Sequence, residues 1–252
     1  MTKTIAIANR KGGVGKTATA HALGAGLIRR GYKVLFVDLD SQCNLTDALG
    51  IDSGSVEASS LDVLEETSEA SEAIISTEGG DILPATPALA TADKVIDGVG
   101  KEYRLRDALQ TLGRKYDYII LDTPPALGVL TVNALTASNS VIIPAQADLY
   151  SLQGIEQLYG TIGAVQHFTN KKLKIGGILI TRYVGRSIIS KDMKGNLEET
   201  AKAIGSKVFN TPIRECIAIR EAQATHTDIF NYSVKSNASK DYEAFIEEFL
   251  GG

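Results

Sequence analysis

Two kinds of segment alternate along the chain. The first kind is a short, uninterrupted apolar run rich in β-branched residues, which is typical of a strand buried on both faces. Runs of this kind occur at residues 3–9, 32–40, 116–125, 140–147 and 173–183. The pattern therefore predicts at least five buried strands.

Longer segments with helical periodicity separate or follow these runs, at residues 15–31, 151–168, 192–205 and 239–252. Because strands and helices alternate, we expect an α/β fold, in which a doubly wound, mainly parallel sheet carries helices on both faces. The stretch 50–60 is the most loop-like part of the chain. Neither a repeat nor a long Pro/Gly/Ser linker divides the sequence, so we expect one domain over residues 1–252.

The composition and the cysteine positions indicate which class of protein and which cell compartment to expect. Apolar residues make up 44% of the chain, which is enough for a large core. The sequence has no run of about 18 apolar residues, and its first residues lack the layout of a signal peptide. Cys43 and Cys216 stand alone, without the CxxC spacing of a metal or redox site. We therefore expect a cytoplasmic protein with two reduced thiols.

Charge is distributed unevenly along the sequence. The net charge is −4, yet residues 171–220 carry eleven Lys/Arg and four acids, a local charge of +7. The rest of the chain carries −11, much of it between Asp47 and Asp97. This asymmetry predicts an electrostatically polar molecule with a basic C-terminal region.

A glycine-rich loop between the first strand and the first helix carries the strongest chemical signal. It reads K-G-G-V-G-K-T from Lys11 to Thr17. Glycines let successive backbone amides converge on a phosphate at the positive end of the following helix. Lys16 can neutralise the terminal phosphates, and the Thr17 hydroxyl is suited to Mg²⁺. The candidate nucleotide contacts are Lys11, Gly12, Gly13, Val14, Gly15, Lys16, Thr17 and Ala18.

The start of this loop departs from the usual phosphate-loop pattern. Arg10 stands where the pattern has glycine, and Lys11 is a second lysine. The loop resembles the deviant Walker A motif of the superfamily that includes ParA, MinD and the nitrogenase iron protein. The resemblance implies a deviant P-loop ATPase with ATP and Mg²⁺ as cofactors. It also implies that Lys11 reaches the phosphates held by the other subunit of an ATP-dependent homodimer. A cation there would stabilise the transferred phosphoryl group, so Lys11 and Lys16 are candidate catalytic residues.

Acidic residues end two of the predicted strands. Asp38 and Asp40 follow the second strand, and Asp122 follows the third. The carboxyl ends of parallel strands meet at the edge of the sheet where ligands bind. These segments resemble the two switch segments of the same superfamily, which implies that Asp40 orients the attacking water and that Asp122 holds Mg²⁺. We predict Asp40 and Asp122 as catalytic residues and, with Thr17, as metal ligands.

Two departures from the family pattern lie in these motifs. Ser41 replaces a proline of the first switch segment, and Ala18 replaces a second hydroxyl residue after Lys16. By the resemblance, the second change removes a contact to the α-phosphate. The C-terminal segments resemble those of small partition ATPases, and this makes Arg182, Pro212 and Arg214 candidates for the base pocket.

Four functions compete within and beside this superfamily. A MinD-like membrane-surface switch, the main alternative, needs a basic amphipathic C-terminal helix, but residues 240–250 carry four acids and one lysine. Anionic lipid would repel that segment. An iron–sulfur protein needs suitably placed thiolates, and Cys43 and Cys216 do not fit that placement. An ATP-dependent ligase resembling dethiobiotin synthetase would not need Lys11 or the basic region.

The basic region favours a DNA-partition ATPase. Clustered Lys and Arg side chains bind backbone phosphates without recognising sequence. The candidate DNA contacts are Arg186, Lys191, Lys194, Arg214 and Arg220. By resemblance to the small, non-repressor partition ATPases, we expect non-specific DNA and a ParB-like centromere-binding protein as partners, no membrane, and a location on the nucleoid.

Overall fold

The computed structural model describes residues 2–185 and 188–251. Its centre is a seven-stranded sheet with the strand order β3-β4-β2-β5-β1-β6-β7. Every neighbouring pair is parallel except β3 and β4. The strands are β1 Lys3–Ile7, β2 Val34–Asp38, β3 Ile75–Thr77, β4 Gly80–Leu83, β5 Tyr118–Asp122, β6 Ser140–Gln146 and β7 Lys174–Thr181.

Twelve α-helices connect or follow the strands in the described part of the chain. They are α1 Lys16–Ile28, α2 Asn44–Ala48, α3 Ser60–Leu64, α4 Ala70–Ala73, α5 Ala92–Val95, α6 Arg104–Thr111, α7 Val129–Ala137, α8 Leu149–Phe168, α9 Ile188–Ala203, α10 Ala218–Ala224, α11 Ile229–Tyr232 and α12 Asn237–Gly251. Short 3₁₀ segments lie at Pro87–Thr91 and Lys101–Tyr103.

Successive side chains of the central strands alternate between the hydrophobic cores on the two faces of the sheet. In β5, Tyr118 and Ile120 pack with α1 and α12, whereas Ile119 and Leu121 pack on the opposite side of the sheet. That opposite side is covered by α3, α6 and α7 over β2 and β5, and by α8 and α9 over β6 and β7. The sheet is therefore covered by helices on both faces, and the predicted doubly wound α/β fold is confirmed.

Small residues let α1 lie close to the sheet. A Cβ built on Gly24 would come within 2.1 Å of the Phe36 ring in β2. A Cβ on Gly26 would lie 2.3 Å from Ile246 in α12. The position of α1 matters for function, since the phosphate loop leads directly into its first turn.

The sequence pattern missed the β3–β4 hairpin. These strands contain three and four residues, too few for apolar periodicity to distinguish them from a loop. β4 extends the parallel sheet beside β2, and β3 forms its antiparallel edge. The stretch 50–60 is irregular as expected up to Ser60, where α3 begins behind a capping box formed by Ser59 and Asp62.

No helix within the described residues is both long and apolar enough to span a bilayer.

Candidate active site

A cavity of about 930 Å³ opens at the carboxyl ends of the central strands. Its walls come from the phosphate loop, the segment after β2, the end of β7 and the region around α10. The cavity is thus formed by both ends of the chain. Of the predicted site residues, the cavity is lined by Gly12, Gly13, Gly15, Lys16, Thr17, Ala18, Asp40, Arg182, Arg214 and Arg220.

Backbone geometry in the phosphate loop suits an anion. Gly13 and Gly15 have φ angles of 72° and 82°, in the left-handed region that favours glycine. Gly15 is the N-cap of α1, and no side chain caps the free amides of the first helical turn. Uncapped amides at the positive end of a helix form a binding site for phosphate oxygens. Val14 is fully buried behind the loop, and its carbonyl accepts a hydrogen bond of 2.7 Å from Thr181.

Lys16 points into this loop from the start of α1. It is only 7% exposed, and its Nζ donates a long hydrogen bond of 3.4 Å to the Lys11 carbonyl. Burial lowers the pKa of Lys16, while the carboxylates of Asp122 and Asp40 oppose that shift. A buried cation of this kind gains most when anionic oxygens enter the cavity.

Asp122 lies at the end of β5, directly behind the loop. Both carboxylate oxygens are buried and lack a hydrogen-bond partner among the described residues. Burial and the nearby Asp38 carboxylate raise the pKa of Asp122 well above its ordinary value. A buried carboxylate without a partner is costly unless a cation or water approaches it. This donor fits Mg²⁺ held through water.

The other oxygen donors also fit a magnesium ion that is bound partly by phosphates and water. In the described part of the chain, they do not form a site in which protein side chains supply all the ligands. Within the described ranges, no group of three His, Cys, Asp or Glu side chains could hold a metal ion alone. Mg²⁺ is commonly bound by one or two carboxylates together with substrate phosphates and water. Thr17 and Asp40 line the cavity and are close enough to Asp122 to influence its pKa, so such a set could form there.

Asp38 and Asp40 differ in their surroundings although they are two residues apart. Asp38 is fully buried and accepts hydrogen bonds from the Asp40 amide and from the amide and hydroxyl of Thr46. Burial raises the pKa of Asp38 to about 6 despite those bonds. Asp38 therefore fixes the turn into α2. Asp40 faces the cavity, and its carboxylate accepts only a 3.0 Å bond from the Gln42 amide among the described residues, which leaves it available for water.

Lys11 does not line the cavity of its own chain. Its Nζ lies 2.5 Å from Asp148 Oδ2 and 3.2 Å from Gln146 Oε1, at the junction of β6 and α8. Asp148 also caps α8 by accepting a 2.9 Å bond from the Ser151 amide. Although partial burial acts in the opposite sense, Lys11 and Ser151 hold the pKa of Asp148 below its ordinary value. No local motif in the sequence marks Asp148 as the partner of Lys11.

The candidate base-pocket residues occupy different positions. Arg182 and Arg214 line the cavity, whereas Pro212 lies outside its wall. Arg182 is bound to Glu215 at 2.8 Å and adopts a left-handed φ of 49°. Arg214 makes two bonds to Asp241 of α12, of 2.7 and 2.9 Å. Both guanidinium groups are thus engaged by carboxylates.

Several residues that line the cavity belong to no local sequence motif, so the sequence alone did not predict them. Tyr242 of α12 and Gln223 of α10 line the cavity, and the Tyr242 hydroxyl lies 3.4 Å from the Thr19 hydroxyl of α1. His226 lies beside them, and its Nδ1 is 2.5 Å from the carbonyl oxygen of Asp47 in α2. This contact joins the C-terminal wall of the cavity to the segment that follows Asp40.

Of the three candidate DNA contacts in and near α9, the structure describes the side chain of only one. Arg186 lies outside the described residues, and so does the side chain of Lys191. Lys194 is described, and it lies 3.9 Å from Glu198 one helical turn later. Their common placement on a DNA-binding face stays a prediction.

The other two candidates, Arg214 and Arg220, line the cavity. Arg214 is engaged by Asp241, as described above. Arg220 is an exposed residue of α10. Both arginines therefore share a cavity with the phosphate loop, and their contact with DNA stays a prediction.

Sequence comparisons connect this site to known proteins. A family model described as an AAA domain matches residues 2–175. The sporulation initiation inhibitor protein Soj of Bacillus subtilis is 41% identical over 251 residues, covering 98% of each chain. The chromosome partitioning protein ParA of Myxococcus xanthus is 37% identical over 251 residues, covering 98% of this chain and 88% of its own.

Solved structures with the same fold contain nucleotide. Cobyrinic acid a,c-diamide synthase from Mycobacterium smegmatis, with a bound ATP analogue and magnesium, is 36% identical with a TM-score of 0.87; the match covers 99% of this chain and 95% of that one. An ATP complex of a McdA variant from Cyanothece is 25% identical with a TM-score of 0.88, covering 99% and 96%.

Proposed function

The chain belongs to the ParA/MinD family as a ParA-type partition ATPase that uses ATP and Mg²⁺, and we propose that it works as an ATP-controlled DNA-binding switch. In this proposal the chain dimerises around two nucleotides, binds DNA without sequence preference, and is released when a ParB-like partner stimulates hydrolysis. Residues 1–252 form one ATPase domain that acts in the cytoplasm on the nucleoid.

The observation that carries the proposal is the position of Lys11. Lys16 already occupies the phosphate loop, whereas the Lys11 side chain is bound to Asp148 outside the cavity of its own chain. The pair is partly exposed, with 25% and 35% of the two side chains accessible, so it can open at modest cost. A released Lys11 would be available to nucleotide held by a second copy.

The same geometry supports a division of labour in hydrolysis. When bound, Mg²⁺ would be held through Thr17, Asp122 and the phosphates, and it would neutralise charge on the terminal phosphates. Lys16 and the loop amides bind those oxygens and keep the reacting group in place. Asp40 accepts a hydrogen bond from the attacking water and so orients it toward the phosphorus.

The distribution of charge over the fold supports DNA binding at one edge. Residues 47–107 carry fourteen acids and four Lys/Arg, and they include β3 and β4 at one edge of the sheet. The basic segment 171–220 includes β7 at the other edge. A dimer would present two basic segments to one duplex, and its binding would be stronger than that of a monomer.

A titration of two unrelated DNA duplexes tests the proposal. We expect binding that requires ATP, is equal for the two sequences and weakens steeply between two salt concentrations as fewer counterions are released. Arg186→Glu should reduce this binding while basal ATPase activity persists. Sequence-specific binding, or equal binding without nucleotide, would contradict the proposal.

The membrane-switch alternative makes a different prediction in the same assay. The C-terminal helix α12 contains Asp241, Glu243, Glu247 and Glu248 beside one lysine, and it packs on α1 through Phe245 and Ile246. Anionic vesicles should therefore not retain the protein. ATP-dependent retention on anionic vesicles, without any DNA binding, would replace our proposal by that alternative.

A further inference from the structure

Three arginines line the nucleotide cavity, and they differ in whether a carboxylate binds the guanidinium group. Arg182 is bound to Glu215, and Arg214 is bound to Asp241. Within residues 2–185 and 188–251, the guanidinium of Arg220 forms neither an ion pair nor a hydrogen bond. Arg220 is therefore the cavity arginine whose charge is left available to a ligand.

The wall that carries Arg220 is held in place on two sides. Ala222 of α10 and the preceding Ala218 pack into the core that contains α1 and α12. Beyond α10, the contact from His226 to the Asp47 carbonyl joins this wall to α2. Arg220 thus projects from a helix anchored between the first switch segment and the core.

On the phosphate-loop side of the cavity, one side chain cannot bind an anion. Ala18, which lines the cavity one residue beyond Thr17, has no hydrogen-bonding side chain. Gly12, Gly13 and Gly15 bring only backbone groups to the cavity. A guanidinium is permanently charged and binds phosphate oxygens through two parallel hydrogen bonds. It could therefore engage phosphate oxygens that the neighbouring side chains of the loop do not bind.

We propose that Arg220 is a nucleotide-binding residue whose guanidinium contacts the phosphate chain of ATP. This assignment differs from the prediction of Arg220 as a DNA contact. It rests on the proposed nucleotide position in this cavity. It gives α10 a role in closing the cavity over the nucleotide, because the contact would connect α10 to the phosphate loop through the ligand.

Nucleotide titrations without DNA test the assignment, using Arg220→Gln and Lys202→Gln. Lys202 is an exposed lysine of the same basic segment, located in the last turn of α9 and outside the cavity wall. Each substitution removes one positive charge. We expect Arg220→Gln to weaken ATP and ADP binding about tenfold, as expected for loss of a charge-assisted hydrogen bond. Lys202→Gln should leave both affinities unchanged, and Arg220→Lys should recover part of the loss.

Three results would overturn the assignment. One is unchanged ATP affinity in Arg220→Gln together with weakened DNA binding. A second is an equal loss of affinity for adenosine, which would place the contact on the base or ribose. A third is an equal loss of ATP affinity in Lys202→Gln, which would indicate a long-range charge effect.

Nucleotide binding by Lys16→Ala shows which assignment is wrong if a test fails: the role of Arg220 or the nucleotide site itself. If Lys16→Ala abolishes nucleotide binding and Arg220→Gln has no effect, the site stands and the role of Arg220 is wrong. If Lys16→Ala binds ATP with wild-type affinity, the proposed nucleotide position itself is wrong.

Discussion

At the scale of single residues, neighbouring groups of one chemical type have different tasks. Lys16 is buried in the phosphate loop, whereas Lys11, five positions earlier, is bound to Asp148 on another element. Asp38 is saturated by hydrogen bonds, whereas both oxygens of Asp122 lack a partner within the described residues. Residue type alone therefore does not distinguish a structural group from a chemical one.

Asp40→Ala should separate nucleotide binding from hydrolysis. The loop amides and Lys16 are unchanged, so ATP affinity should persist, while loss of the group that orients water should slow hydrolysis about 100-fold. Phosphate release and nucleotide titration measure the two effects. Asp52→Ala, at an exposed loop carboxylate outside the cavity wall, is the control. Unchanged turnover in Asp40→Ala would remove Asp40 from the mechanism.

Asp122→Asn should stabilise the nucleotide-free protein at neutral pH. Burial and Asp38 raise the folded-state pKa of Asp122, so the folded chain holds a proton that the unfolded chain has lost. That contribution to stability therefore falls as pH rises from the unfolded pKa through the folded pKa. The advantage of Asp122→Asn should be absent below this window and fully present above it.

Urea unfolding across mildly acidic to neutral pH, without nucleotide, measures this effect of Asp122→Asn. The same variant should lose the stabilisation that wild type gains from ATP with Mg²⁺. Equal urea midpoints at every pH would show that the buried carboxylate has a compensating partner.

At the scale of elements, the position of α1 depends on its contact with β2. Gly24 permits this contact because any Cβ there would meet Phe36. The contact keeps the first turn of α1, and so the phosphate loop, in register with the ends of β2 and β5. Close packing between a helix and a sheet thereby determines the geometry of the site.

Gly24→Ala should therefore destabilise the fold by about 1–3 kcal/mol through overpacking. Gly160→Ala, in α8, is the matched control, since a Cβ there meets nothing within 4 Å. That change should be neutral or stabilising by up to about 1 kcal/mol, because alanine favours the helix. Thermal and urea unfolding of both variants measure the difference. Equal stabilities would mean that α1 can move away from β2 without cost.

At the scale of the whole molecule, the cavity takes wall residues from both charged segments, with Asp47 from the acidic one and Arg182, Arg214 and Arg220 from the basic one. The cavity lies at the carboxyl ends of the central strands, while the acidic and basic segments lie toward opposite edges of the sheet. Lys11 and Asp148 lie beside the cavity and are partly exposed. Dimerisation through this region would join two cavities and bring two basic segments onto one assembly.

Asp148→Asn should favour the ATP-bound dimer. Asparagine caps a helix as well as aspartate does, so α8 should remain intact while the attraction for Lys11 is lost. Since exposed ion pairs are weak, we expect the dimer to form at roughly two- to fivefold lower protein concentration. Lys11→Ala should bind ATP as a monomer. Light scattering with and without ATP measures both, and a normal ATP dimer of Lys11→Ala would show that Lys11 is not needed.

The sequence by itself determined the features that contiguous residues encode. Apolar runs predicted five of the seven described strands, and the stretch from Lys11 to Thr17 predicted the loop between β1 and α1. Asp40 and Asp122 were predicted at one edge of the sheet because buried parallel strands end at a common edge; Asp40 lines the cavity there, and Asp122 ends β5 without lining it. These inferences succeeded because backbone preference and burial act over a few neighbouring residues.

Tertiary structure alone decided which distant groups meet. Lys11 and Asp148 are 137 residues apart, and Arg214 and Asp241 are 27 apart, yet each pair is in direct contact. Arg220 belongs to a basic stretch of sequence, but the fold places it on the wall of the cavity that the phosphate loop also lines. The function of a charged side chain depends on the groups that surround it in space. The packing of helices and loops, and not a local sequence pattern, determines which groups those are.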